Sequence, residues 1–123
     1  MLAPDDMVRL QHMLDYAVEA IDLMQGKTRS NLDQDRLLQL GMVRLIELIG
    51  EAASRVTKET QDRHEQIPWP QIVSMRNRLI HGYDFVDYDI LWQTVQEDLP
   101  ELVAKLKLVF RTTEQSEGNL DGK

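Results

Sequence analysis

A chain of 123 residues, with 21 Asp and Glu against 14 Lys and Arg and a formal charge of −7, is long enough for one packed core and too short for two. That charge argues against an extended nucleic-acid footprint, which depends on many Lys and Arg contacts, but leaves room for a small local cationic site. The absence of cysteine excludes disulfides and thiolate metal sites and makes a reducing cytoplasm the expected home. No basic region followed by an apolar run opens the chain, and no apolar stretch approaches the length of a bilayer, so neither a signal peptide nor a membrane association is expected.

Strand signals are absent and apolar residues recur at helical spacing almost throughout, which predicts an all-α fold, a four-helix up-and-down bundle. The first helix is expected to start at Pro4-Asp5-Asp6, where carboxylates suit exposed helix amides. It carries the stripe Met7, Leu10, Leu14, Ala17, Val18, Ile21 and Met24 and stops at Gly26. A polar loop follows, with Ser30 or Asn31 as the cap of the next helix.

The second helix is expected to be the longest, from about Leu32 to Glu59. Its apolar face, built on Leu38, Met42, Leu45, Ile49, Ala52 and Val56 and widened by Val43, Ile46 and Ala53, implies burial on more than one side. Ile67-Pro68-Trp69-Pro70 opens a third helix, since proline is tolerated in a first turn, and Gly82 is its expected end. A fourth begins near Asp87 and continues to Phe110, kinked or restarted at Pro100 with Asp98 as a local cap. Residues 1–111 thus form one helical domain, and residues 112–123 read as a polar, frayed tail.

The richest chemistry lies in Met75-Arg76-Asn77-Arg78-Leu79-Ile80-His81-Gly82-Tyr83, within the longest acid-free window of the chain, Gln66 to Tyr83. A guanidinium to hold phosphate beside an imidazole that titrates near neutral pH is what metal-independent phosphodiester cleavage requires. His81 would act as general acid or base, Arg76 would neutralise the phosphate, and Asn77 and Arg78 would support them. At about 100° per residue, Asn77 and His81 share a helix face, whereas Arg76 and His81 lie roughly 140° apart. Either Arg76 reaches around to the imidazole, or two copies of the motif meet across a dimer axis. On composition alone the same run describes a solvated face ending in a His that caps carbonyls.

Other candidates read more plainly. His12 and His64 lack metal-ligand spacing. Glu47 and Glu51 have no Glu-x-x-His partner and read as solvated or capping groups. Trp69, Trp92 and the methionines read as packing residues. No metal or other cofactor is expected.

Arg76-Asn77-Arg78-Leu79-Ile80-His81-Gly82-Tyr83 matches the R-x4-H-x-Y motif of HepT-like toxins, of the HEPN superfamily of helical ribonucleases. Leu45 to Ala53, Ile67-Pro68-Trp69 and Asp98 to Leu102 also resemble that family's segments, so the resemblance covers most of Met7 to Phe110. It implies a homodimer with Arg76 and His81 as catalytic residues at a shared cleft acting on RNA. It further implies an MNT-type minimal nucleotidyltransferase as antitoxin, able to add AMP to Tyr83. Close packing at Gly50 and a polar contact from Glu51 near the motif helix are also expected. The alternative is a non-catalytic HEPN-type dimer that serves as adaptor or regulator for a nucleotidyltransferase.

Overall fold

The computed structural model describes residues 3–81 and 85–121, with the side chains of His81 and of residues 113–121 outside that description. The architecture is all-α. Helix α1 (Pro4–Met24) places Pro4 in its first turn, where the missing amide costs nothing. It ends where Gly26, at φ +75°, turns the chain and Lys27 donates to the Met24 carbonyl at 3.0 Å.

The expected single second helix is three helices: α2 (Arg29–Gln34), α3 (Arg36–Ser54) and α4 (Lys58–Arg63). Side-chain capping explains each break. Thr28, rather than Ser30 or Asn31, starts α2 in a capping box in which Asn31 reciprocates. Asp35 is extended, interrupts the helix, and accepts from the Leu38 amide at 3.0 Å to start α3. Thr57 does the same for α4.

The motif segment also departs from expectation. Helix α5 (Trp69–Val73) and helix α6 (Met75–Leu79) are separated by Ser74, whose hydroxyl donates to the Pro70 carbonyl at 2.8 Å. The helix stops at Leu79 instead of Gly82, because Ile80 turns to extended geometry and begins a short strand. Strand β1 (Ile80–His81) pairs antiparallel with β2 (Phe85–Val86), with Ile80 opposite Val86 and His81 opposite Phe85. The Asp87 amide donates to the Leu79 carbonyl at 2.7 Å and closes the connection.

Helix α7 (Tyr88–Gln93), capped by Asp87, runs through a π-helical turn over Thr94–Asp98 into α8 (Leu99–Asp121). Leu99 donates five residues back to Thr94. Pro100 explains the widened turn: it has no amide to donate, and its ring needs the extra room. Asp98 does not cap this restart; its carboxylate turns to Arg78. The helical backbone of α8 passes through the stretch read above as a tail.

The core is assembled from α1, α3, α5, α6, α7 and α8 around Leu10, Met13, Met42, Ile46, Ile49, Met75, Leu79, Leu91, Leu99 and Leu106. Each such side chain contributes about 1.5–3 kcal/mol relative to exposure. Trp69 packs there as expected, its indole N–H shared between the Gln61 and His64 carbonyls, both at 3.1 Å. Asp6, read from sequence as a helix-start carboxylate, is buried. It accepts from the Thr57 amide at 3.0 Å and from the Thr57 and Thr60 hydroxyls at 2.6 and 2.5 Å, pinning α1 to the start of α4.

Candidate active site

One close contact sets the site. A Cβ placed on Gly50 would lie 3.1 Å from the Val73 carbonyl oxygen and 3.3 Å from that of Ile72, so α3 passes against the last carbonyls of α5 at the distance only glycine permits comfortably. The expected tight packing at Gly50 is present. It brings the turn of α3 just before Gly50 beside the start of α6, and there Arg76 meets Glu47.

The Arg76 Nε lies 2.6 Å from Glu47 Oε2 in an ion pair. The other carboxylate oxygen of Glu47 binds Arg44, one turn earlier on α3, and Arg44 lies 4.0 Å from Glu51. The Arg76 side chain remains 46% exposed and that of Glu47 27%, so this is an accessible row of alternating charge and not a core ion pair. The ion pair to Glu47 runs through Nε, and the two terminal nitrogens of Arg76 make no side-chain bond among the described residues. Glu47 is the residue that sequence reasoning set aside as solvated. The signal was present: three acidic or basic positions, Arg44, Glu47 and Glu51, at helical spacing opposite an arginine-rich helix.

Arg76 and Arg78 part company. Met75 and Leu79 point into the core, which leaves residues 76–78 exposed on α6. Two positions on an α-helix are about 200° apart, so Arg78 faces away from α3 and reaches Asp98 at the end of the π turn, 3.4 Å away. It helps line a cleft of about 170 Å³ together with Ile72, Met75, Glu101, Leu102 and Lys105. Asn77 is exposed and has no side-chain hydrogen bond among the described residues.

The expectation that Asn77 and His81 share a helix face does not hold. His81 lies beyond the helix end, its backbone in β1 opposite Phe85. The 140° separation from Arg76 was reckoned on a helix that has already stopped. The imidazole of His81 and all of Tyr83 lie outside the described residues. The strand pair nonetheless anchors the backbone on both sides of Tyr83.

Among the described residues, no cluster of three or more carboxylate or imidazole groups is arranged as metal ligands, and no helix is long and apolar enough to cross a membrane. His12 stands against Tyr16, ring centroids 5.9 Å apart. His64 ends α4, where burial, and secondarily Arg63, hold its pKa below the usual imidazole range.

The sequence profile described as ribonuclease HepT-like matches residues 13–109, from the middle of α1 to the middle of α8. The chain belongs to the HepT-like family. Among its relatives, a protein of Caldanaerobacter subterraneus named "Putative RNase" is 34% identical over 102 residues, 83% of this chain and 91% of that protein. A "Probable ribonuclease HepT" of Thermococcus cleftensis is 38% identical over 98 residues, 76% of this chain and 89% of that one. A "Putative RNase" of Methanocaldococcus jannaschii is 28% identical over 100 residues, 81% and 92% of the two chains. No solved structure gives a significant match. Within the Arg76 to Tyr83 segment, the half-exposed Arg76 side chain paired with Glu47 has defined geometry.

Proposed function

We propose that this chain is an endoribonuclease toxin of a toxin–antitoxin pair, a four-helix up-and-down bundle that dimerises and cuts RNA in the cytoplasm without a metal ion. The observation that carries the reading is a half-exposed Arg76, paired with Glu47, at the R-x4-H position of a HepT-like chain. In the reaction, a ribose 2′-oxygen attacks the adjacent phosphorus, the P–O5′ bond breaks, and a 2′,3′-cyclic phosphate forms. One imidazole takes the 2′-hydroxyl proton and a second proton goes to the departing 5′-oxygen. His81 supplies one or both of these transfers, and His81 of a second copy can supply the other. The terminal nitrogens of Arg76 neutralise the charge that builds on the non-bridging oxygens. Asn77, exposed next to Arg76, extends the contact to RNA, and Arg78 supports it from the Asp98 side of α6.

The test is cleavage of tRNA and mRNA by purified, unmodified protein in EDTA. Arg76→Ala and His81→Ala each lower the rate by on the order of 100-fold or more while helicity is retained. Activity at the wild-type level in His81→Ala rejects the assignment. Silence of the wild-type protein across a broad RNA panel moves the reading to a non-catalytic adaptor or regulatory dimer for a nucleotidyltransferase.

Control by an MNT-type nucleotidyltransferase antitoxin fits the same segment. The Tyr83 oxygen would attack the α-phosphorus of ATP, pyrophosphate would leave, and the phenol proton would pass to solvent. The resulting anion beside Arg76 and His81 would block the cleft and occupy the guanidinium. Incubation with ATP and the partner raises the intact mass by one or more adenylyl units in the wild type and by none in Tyr83→Phe. An unchanged wild-type mass with an active partner excludes this mode of control.

A further inference from the structure

We infer that Glu47 is a positioning residue of the site, and that Arg44 is its second phosphate-binding cation. The inference rests on the ribonuclease reading for its consequence but on geometry for its content. Glu47 offers one carboxylate oxygen to Arg76 Nε and the other to an Arg44 terminal nitrogen. A guanidinium has five N–H donors in a rigid plane, so an ion pair held at Nε narrows the directions in which the terminal pair can point. A single carboxylate thus orients two guanidinium groups, one from α3 and one from α6, along one exposed edge. Both stay largely open to solvent, at 46% and 58% of their side-chain area. Neither pair is buried enough to matter much for folding, since exposed ion pairs contribute about 0–1 kcal/mol.

The arrangement has a further physical logic. Two arginines alone would repel and spread. A shared carboxylate holds them together: Arg44, Glu47 and Arg76 carry one net positive charge, which Glu51, 4.0 Å from Arg44, offsets, in a protein whose overall charge is −7. An RNA phosphate then meets a preorganised fork instead of two mobile side chains, so the entropic cost of ordering them is met on folding and not on binding. Gly50 serves the same end, because the close passage of α3 against α5 sets the distance from Glu47 to Arg76.

The experiment uses full-length ¹⁵N-labelled protein, with Glu47→Ala, Glu47→Gln and Arg44→Ala, and with Glu59→Gln on the exposed α4 pair as control. The Arg76 Nε–H resonance, assigned by its loss in Arg76→Lys, is expected to be slowed in exchange and displaced from the solvent position in the wild type. In Glu47→Ala it returns to the solvent position, with partial recovery in Glu47→Gln. Binding of a short mixed-sequence 2′-O-methyl RNA weakens roughly 10-fold in Glu47→Ala and in Arg44→Ala, and the Glu47→Ala effect disappears in an Arg76→Ala background. Cleavage falls on the order of 100-fold in Glu47→Ala through misplacement of Arg76, while the melting temperature and the control stay at wild-type values. An Arg76 Nε–H that ignores Glu47→Ala overturns the positioning role whether or not RNA is cut. Unchanged RNA binding in Arg44→Ala overturns the second-cation role. A responsive Nε–H and weakened binding in a wild-type protein that cuts nothing would keep the positioning and sink the ribonuclease reading alone.

Discussion

Asp6 and Glu47 are both carboxylates that join distant parts of the chain, and they do it in opposite surroundings. Asp6 is 1% exposed and satisfied by one amide and two hydroxyls from Thr57 and Thr60. Glu47 is partly open and satisfied by two guanidinium groups. Burial decides what each can do. A carboxylate out of water must have its lone pairs filled, and losing it leaves buried donors stranded, so Asp6 acts on stability. A carboxylate at the surface gains little from its ions against water but fixes where they point, so Glu47 acts on the site.

The largest break in that comparison is Asp6→Ala. It strands the Thr57 amide and two hydroxyls and is expected to cost about 2–4 kcal/mol, lowering the melting temperature by roughly 10–15 °C without changing Arg76. Thermal unfolding followed by circular dichroism measures it, and a shift below about 3 °C would show that the network is not a fold anchor. Glu47→Ala is the mirror experiment, with activity lost and melting temperature kept.

Acid sharpens the contrast. Burial pushes the Asp6 pKa up, but the hydrogen bonds from Thr57 and Thr60, with Arg9 nearby, outweigh it and hold the group below its ordinary value of 3.8. The unfolded chain therefore binds the proton more readily, so the stabilisation is full above pH about 4 and is lost as the pH falls through the lower folded value. His64, its pKa depressed from 6.5 by burial and then by Arg63, acts in the same direction at higher pH, with stability beginning to fall below about 6.5. Denaturant unfolding across pH is expected to show two declines. His64→Gln removes the upper one and Asp6→Asn the lower; a single decline untouched by either variant contradicts the assignment.

The smallest effects separate two glycines of α3. A Cβ at Gly41 meets nothing within 4 Å, so Gly41→Ala is expected to stabilise by about 0.5–1 kcal/mol through helix propensity alone. At Gly50 the same propensity gain is set against carbonyl oxygens at 3.1 and 3.3 Å, which belong to backbone and yield little. Gly50→Ala is therefore expected to gain nothing or lose about 1 kcal/mol, and to disturb the Arg76 Nε–H. Equal melting temperatures for the two variants would remove Gly50 as the spacer of the site.

The helical class, the core stripes and the Gly26 stop were legible because each depends on residues close in sequence, whereas the tight approach at Gly50 to the Ile72 and Val73 carbonyls was expected only from the family resemblance. Leu10, Met13, Ile46, Ile49, Leu99 and Leu106 recur at helical spacing, and all are buried. The breaks were less legible. Asp35 and Thr57 look like ordinary polar residues in a helical run until their side chains are seen to cap a new start. The early end at Leu79 depends on pairing with residues beyond the turn, which no local periodicity reports.

The chain by itself determined that Arg76, His81 and Tyr83 fall within one short segment of sequence, inside an acid-free window. Tertiary structure alone decided which way the arginines point. Arg76 and Arg78 are two residues apart and chemically alike, but the core side chains Met75 and Leu79 set the rotation of α6 and send one to Glu47 on α3 and the other to Asp98 in the π turn. Sequence lists which charges are neighbours along a helix; only the packing of one helix against another chooses the carboxylate that each arginine meets.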